Sequence, residues 1–401
     1  MPKMPKDESQ LRNLTIIIII FSLPILSRDV MRITCRMLLL ASLLAPALAS
    51  AKTVVDISNR TVEVPDNPQR IVVGESRMLY TLALVEDGNP AKNIIGWPGD
   101  MQNLDPQSWQ LYVKAFPQIA QIPQMGKNNF TQFNAEKVIA LKPDLVILPR
   151  YAKTPTDEDQ MLGRLTQAGI PVIYVDLRID QLNNTIPSIK LLGDVLNNPQ
   201  KAARFIAFYQ QHMNRIKERI AGYHGKKATV MLQLQLGRRQ TCCTTVSHGN
   251  LADLLAFAGG DNIAGGIFKS VYGQMNPEAV IAANPDVYIS TGMGTPDGKS
   301  EGNIQLGPLV SKEQAESSFR QVMDQQPLLS HLQAVKNGRA YSVWHNFYLS
   351  PYHMVDVEVF AKTLYPQLFA DVDPQQTVKA IYDQFLPIPF SGTYWSQLPA
   401  K

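Results

Sequence analysis

The chain has 401 residues, 45% of them apolar and 18% charged, with a formal net charge of +4. Removing the first 51 residues takes away six basic and three acidic side chains from totals of 38 and 34, leaving 32 against 31. That balance argues against a nucleic-acid or membrane-surface partner, and roughly 350 residues suffice for two cored domains.

Residues 1–51 read as export machinery and not as fold. Arg32 and Arg36 follow Met31 and precede the apolar run 37–48, with small residues at Ala47, Ala49 and Ala51. This is the plan of a secretory signal peptide starting near Met31 and cleaved near Ala49 or Ala51. The earlier apolar run, 15–26, is shorter than the ~20 residues a bilayer core needs, so residues 1–30 are expected to be an upstream extension. The mature chain is expected to be soluble, periplasmic and monomeric. Of the three cysteines, Cys35 falls in the leader, and Cys242 and Cys243 are adjacent. A disulfide framework and a zinc cluster are thereby excluded, leaving a vicinal disulfide or two small side chains in a loop.

The alternation over 54–64 around Ser58-Asn59 predicts a hairpin, with Asn59 in the left-handed turn position. Short β-branched runs at 71–73, 94–95, 145–148 and 172–175 alternate with helical segments, the pattern of a parallel, helix-covered sheet. Residues 181–196 lead into a long helix over 199–221. Its apolar stripe is Ala202, Phe205/Ile206, Tyr209, Met213, Ile216 and Ile220, with Asn198 as N-cap, Pro199 at the first helical position and Gly222 closing it. Runs at 229–236, 287–289 and 340–344 repeat the strand pattern, and 355–385 is mostly amphipathic helix. The segment 134–147, Asn-Ala-Glu-Lys-Val-Ile-Ala through Pro-Asp to Ile, recurs at 276–289, so that Glu136 and Glu278 correspond at an offset of 142 residues. One such unit on each side of one long helix predicts an α/β protein of two Rossmann-like lobes with parallel sheets, joined by one long rigid helix. The boundaries are 52–197 for the N-terminal lobe, 198–222 for the connecting helix and 223–401 for the C-terminal lobe.

Ligands of open parallel sheets bind beyond the carboxyl ends of the strands. The residues there are 75–77, Arg150-Tyr151, Arg238-Arg239 and 345–348 after Trp344. Arg77, Arg150, Arg238 and Arg239 suit carboxylate or phosphate oxygens through paired donors, with Trp344, Tyr151 and Tyr348 beside them. These residues predict an anionic, partly apolar ligand. The six histidines lack the i, i+4 spacing of a helix-borne zinc hydrolase, and neither a nucleophile elbow nor a phosphate loop is present, so no catalytic residues are assigned. His353 and Asp356 are expected to be a polar pair at a helix end.

The two Asn-x-Glu-x-Val-Ile-Ala-x-x-Pro-Asp units around one helix resemble the periplasmic substrate-binding proteins of ferric-siderophore, heme and cobalamin ABC importers. Residues 56–64, 68–72, 249–263, 347–369 and 392–395 extend the resemblance over 53–395. It implies a ligand caught between lobes with little hinge motion, and a membrane permease with its ATPase as partners. It also implies that Glu136 and Glu278 dock onto the permease. Heme-binding members place a Tyr where this chain has Lys127, and cobalamin-binding members a Trp where it has Met125. Hydroxamate-binding members carry a basic residue and a Tyr that Lys127 and Tyr151 resemble. A ferric siderophore, with no iron ligand from the protein and no cofactor, is therefore the expected cargo. Heme, cobalamin and a free transition metal held by His345, His353 and carboxylates are the alternatives.

Overall fold

A computed structural model describes residues 51–126, 134–158, 160–238, 242–296 and 302–400. The chain begins with the expected hairpin, β1 (Ala51–Val55) against β2 (Thr61–Pro65), and Asn59 takes φ 58° at its turn. The N-terminal lobe is built on β3 (Ile71–Val73), β4 (Ile94–Gly96), β5 (Leu145–Pro149) and β6 (Val172–Val175). Their order is β4-β3-β5-β6 and every pair is parallel. Strands buried on both faces read as unbroken apolar runs, and β3, β5 and β6 are buried at every position.

The C-terminal lobe uses β7 (Thr229–Gln233), β8 (Thr244–Val246), β9 (Asp261–Asn262), β10 (Tyr272–Gln274), β11 (Val287–Gly292), β12 (Ala340–Trp344) and β13 (Trp395–Leu398). Its main sheet runs β13-β12-β11-β7-β9, with only β13 antiparallel, and β8 pairs with β10 as a separate ribbon. Cys242 and Cys243, just before β8, are joined as a vicinal disulfide. Helices His353–Leu364 and Pro374–Phe385 make up the amphipathic stretch near the carboxyl end.

The connecting helix, Pro199–Ala221, buries Ala202, Phe205, Tyr209, Met213 and Ile216, the stripe read from the sequence. Asn198 does not cap it with its side chain, which instead donates to Glu86 Oε2 at 3.3 Å. Gly193 of the preceding helix, Gln181–Val195, admits Ala202 so closely that a Cβ there would lie 2.4 Å from the Ala202 Cβ. On the other side, His353 and Asp356, expected to be a polar pair at a helix end, are both fully buried, and the partners of His353 are Ser350 and Tyr209. His353 Nδ1 donates to the Ser350 carbonyl at 2.8 Å and Nε2 accepts from the Tyr209 hydroxyl at 2.7 Å. Glu358, equally buried, takes Arg215 at 2.6 Å and His212 at 2.7 Å from the connecting helix.

Direct bonds also cross between the lobes. Gln107 Nε2 donates to the Thr295 carbonyl at 3.0 Å, and its Oε1 accepts from Leu309 N at 3.2 Å. Gln181 Nε2 donates to the Asn250 carbonyl at 3.0 Å, and the Tyr352 hydroxyl to the Tyr80 carbonyl at 3.0 Å. Gly294 has to be glycine for the first of these ties, since a Cβ there would fall 2.3 Å from the Gln107 amide.

Candidate functional site

In each sheet the strand order reverses once, between β3 and β5 in one lobe and between β7 and β11 in the other. Loops leaving the carboxyl ends of strands diverge at such points and leave a crevice. The two crevices face each other across a cavity of about 260 Å³. Arg77, Leu104 and Arg178 line it from the N-terminal lobe, and Leu234, Gln235, Tyr272, Met293, His345 and Tyr348 from the C-terminal lobe. A larger groove of about 1070 Å³ lies beside β13 and helices Lys312–Asp324 and Pro374–Phe385. It is away from the carboxyl ends of the central strands, and its mixed lining converges on no buried cation.

Arg77 stands just past β3, where a short 3-10 turn, Ser76–Met78, sends its side chain inward. Its Nε donates to Asp100 Oδ2 at 2.9 Å and its Nη2 lies 2.7 Å from Glu75 Oε1. Asp100 also accepts from the Ser76 amide and hydroxyl, both at 2.7 Å. Burial, reinforced by the Glu75 carboxylate, raises the Asp100 pKa against these donors. For Arg77 burial opposes the charge, but Glu75 and Asp100 outweigh it and hold the guanidinium above its ordinary pKa.

Arg178 is positioned by a turn wound around Asp176 at the end of β6. Asp176 accepts from the amides of Arg178, Ile179 and Asp180 at 3.1, 2.8 and 3.1 Å and from Asn184 Nδ2 at 2.8 Å. The Arg178 guanidinium sits over the rings of Tyr151 and Tyr348, 5.3 and 5.8 Å from their centroids, and 3.9 Å from Glu75 Oε1. Burial again disfavours its charge, and the Tyr348 and Glu75 oxygens more than reverse that, so its pKa is raised. The Tyr348 phenol is pushed up by burial although Arg178 pulls the other way, so it meets a ligand as a neutral hydroxyl. His345 is fixed by Nδ1 to Thr291 Oγ1 at 2.9 Å and packs edge-on to Tyr348, with centroids 5.1 Å apart.

Of the residues expected at the site, Arg77 and Tyr348 are on the cavity wall. Tyr151 stands directly behind it, its hydroxyl donating to Glu75 Oε2 at 3.2 Å. Arg150 does not line the cavity: its Nη1 is turned to Asp176 at 3.4 Å and its side chain is 41% exposed. Arg238 is exposed and also off the wall, while Lys127 and Arg239 lie outside the described residues. Trp344, expected to pack on the ligand, is instead buried in the core, where Phe347, Tyr394 and Tyr80 surround it at 5.2, 5.3 and 6.0 Å. Applying the strand-end rule to β6 as well would have found Arg178. Tyr272 and Gln235 had no comparable signal, because β10 and the turn after β7 are too short to show a period. Among the described residues no group of three His, Cys, Asp or Glu converges to hold a metal ion.

Glu136 and Glu278 occupy equivalent places in the two repeated units, and neither lines this cavity. Each is exposed, at the second position of a short helix, Ala135–Ala140 and Pro277–Ala283. The preceding Asn134 and Asn276 accept from the Glu136 and Glu278 amides at 2.8 and 2.9 Å. Glu136 pairs with the exposed Arg164.

A profile of the periplasmic binding protein family matches residues 75–344. The molybdate-binding protein MolA of Haemophilus influenzae is 26% identical over 369 residues, covering 86% of this chain and 94% of that protein. The vitamin B12-binding protein of Yersinia pestis is 28% identical over 160 residues, 40% of this chain and 52% of that one. Among solved structures, the TroA-like periplasmic binding protein FepB of Veillonella parvula superposes with a TM-score of 0.80 at 27% identity, over 86% of this chain and 99% of that one.

Proposed function

The chain belongs to the periplasmic binding protein family, and from that premise we propose that it captures a compact metal oxyanion of the molybdate type and presents it to an ABC importer. As a solute-binding protein it is not an enzyme. The observation that carries the ligand assignment is the cavity itself: about 260 Å³, with two guanidinium groups, Arg77 and Arg178, on one wall. The hydroxyl groups of Tyr348 and Tyr272 and the ring of His345 line the cavity with them. Drug-sized ligands occupy pockets of roughly 300–1,000 Å³, so this volume favours a small anion. Guanidinium forks match the edges of an oxyanion. A relative that spans most of the chain and is named for molybdate supports the same class.

A ferric siderophore is the second reading, and the aromatic surround favours it. Tyr348, beside Arg178, and Tyr272 line the cavity and would pack against the organic shell of a chelate whose metal is already saturated. Isothermal titration of the mature chain with molybdate, ferric hydroxamate and catecholate chelates, heme and cobalamin separates the two. Saturable binding of molybdate, with no heat from the chelates, is expected. Binding of a ferric chelate by a protein silent to molybdate would replace the first reading with the second.

Delivery is assigned to Glu136 and Glu278. The same carboxylate recurs, exposed and Asn-capped, at the head of the repeated unit in each lobe, and exposed charges steer and orient a partner across an interface. Export is assigned to the leader that begins near Met31. Among the described residues no helix is long and apolar enough to cross a membrane.

A further inference from the structure

The two arginines of the cavity are not free charges awaiting an anion. Glu75 is nearly buried, with 12% of its side chain exposed, and it does not line the cavity. Its Oε1 lies 2.7 Å from Arg77 Nη2 and 3.9 Å from Arg178 Nη1, and its Oε2 is held by the Tyr151 hydroxyl at 3.2 Å. Asp100 takes the other side of Arg77. Formally the two guanidinium charges are cancelled by two carboxylates before any ligand arrives. Yet Glu75 is also what allows two cations to share one wall, since each would otherwise raise the cost of burying the other.

We propose that Glu75 is a resident counter-anion that sets the affinity of this cavity, holding Arg77 and Arg178 together while weakening their grip on an anionic ligand so that it can be released. This rests on the anion reading of the same cavity. The ligand would bind on the cavity face of the guanidinium groups, so that a contact of 2.7 Å from Glu75 to Arg77, the width of a guanidinium and a second contact of about 2.8 Å separate it from the Glu75 carboxylate, on the order of 7 Å in all. At an effective dielectric of roughly 20–40, one unit charge at that range changes the affinity for a single ligand charge by about tenfold or more. A wall on which the described guanidinium and carboxylate charges cancel also selects its ligand by donor geometry more than by charge. A site with an uncompensated cation would bind many anions tightly and depend steeply on salt.

The test is titration of sodium molybdate into the full mature chain at low and moderate potassium chloride. Relative to wild type, Glu75→Gln, which keeps the side-chain shape and removes the charge, is expected to bind about tenfold more tightly and with a steeper salt dependence. Glu75→Asp, which keeps the charge, is expected to stay within about threefold. Unchanged or weaker binding by a folded Glu75→Gln protein would overturn the proposal. Should Glu75→Gln fail to fold because its cations repel, the comparison moves to Arg178→Gln and the double variant Glu75→Gln/Arg178→Gln, in which no excess cation remains. The double variant is expected to bind molybdate more tightly than Arg178→Gln alone, and equal affinity would overturn the proposal. Absence of molybdate binding by the wild type would overturn the anion reading itself and this inference with it, whereas wild-type binding without the Glu75 effect leaves that reading standing.

Discussion

Replacing His353 should remove a defined part of the protein's sensitivity to acid. The imidazole is fully buried between the connecting helix and helix His353–Leu364, donating from Nδ1 to the Ser350 carbonyl and accepting at Nε2 from Tyr209. The neutral ring satisfies both nitrogens, and burial, which disfavours the charged ring, lowers its pKa from 6.5 to about 4. Between those values the unfolded chain takes up a proton that the folded chain refuses. The stabilising contribution is therefore complete above pH 6.5 and is lost as pH falls toward 4. At pH 5 the linkage amounts to about 2 kcal/mol. Urea unfolding at pH 7.5 and pH 5 for wild type and His353→Gln measures it as a difference of differences. The Glu358, His212 and Arg215 cluster on the same helix pair remains in both proteins and cancels. Wild type should lose about 2 kcal/mol more than the variant over this interval. Parallel losses in the two proteins would refute the reasoning.

Glu136→Ala and Glu278→Ala should each change folding stability by no more than about 1 kcal/mol, as exposed charges do. Ligand-stimulated ATP hydrolysis by the reconstituted importer should fall in either variant and collapse in the double. Trp344→Ala should cost about 3–5 kcal/mol in urea unfolding, the range for truncating a large core aromatic; an effect confined to ligand affinity would place the indole at the site instead. Arg178→Gln should weaken molybdate binding by roughly tenfold or more, since charged hydrogen bonds are worth about 1.5–3 kcal/mol each. Its melting temperature should stay near wild type, because Glu75 keeps its partner in Arg77.

The architecture was legible because it rests on long-range regularities. Buried parallel strands have to be apolar at consecutive positions, so β3, β5 and β6 stood out. The repeated Asn-x-Glu units and the stripe of helix Pro199–Ala221 fixed the two-lobed plan. What the sequence hid is of two kinds. Elements such as β8, β9 and β10 have two or three residues, too few for any period to appear, and Tyr272 reaches the cavity from one of them. Side-chain direction at a strand end is the other. Trp344 closes β12 facing the core, whereas His345, one residue on, faces the cavity. A one-residue step reverses the face in a strand, and composition at the strand end does not reveal which residue takes which side. The burial of His353 and Asp356 was missed for a similar reason, since a polar residue at a helix end is usually solvated and these are enclosed by the packing of a second helix.

The way the lobes are joined bears on how a ligand would leave. A receptor that opens by a hinge can release its ligand by separating the walls of the site, and its affinity can be high when closed. Here the lobes share a 23-residue helix and are tied across the gap by Gln107, Gln181 and the Tyr352 hydroxyl. At a net ~1 kcal/mol for each such hydrogen bond, together with the Tyr209 and Glu358 contacts that lock the helix to the C-terminal lobe, wide opening is opposed by several independent interactions. With the walls held at fixed separation, affinity has to be limited by the chemistry of the wall itself. In the proposed arrangement a carboxylate already seated between two guanidinium groups does this without any motion of the lobes. The rigid frame and the neutralised arginine pair are thus two parts of one arrangement. Loosening the frame, for example by Gln107→Ala, should therefore alter molybdate affinity much less than altering the charge at Glu75.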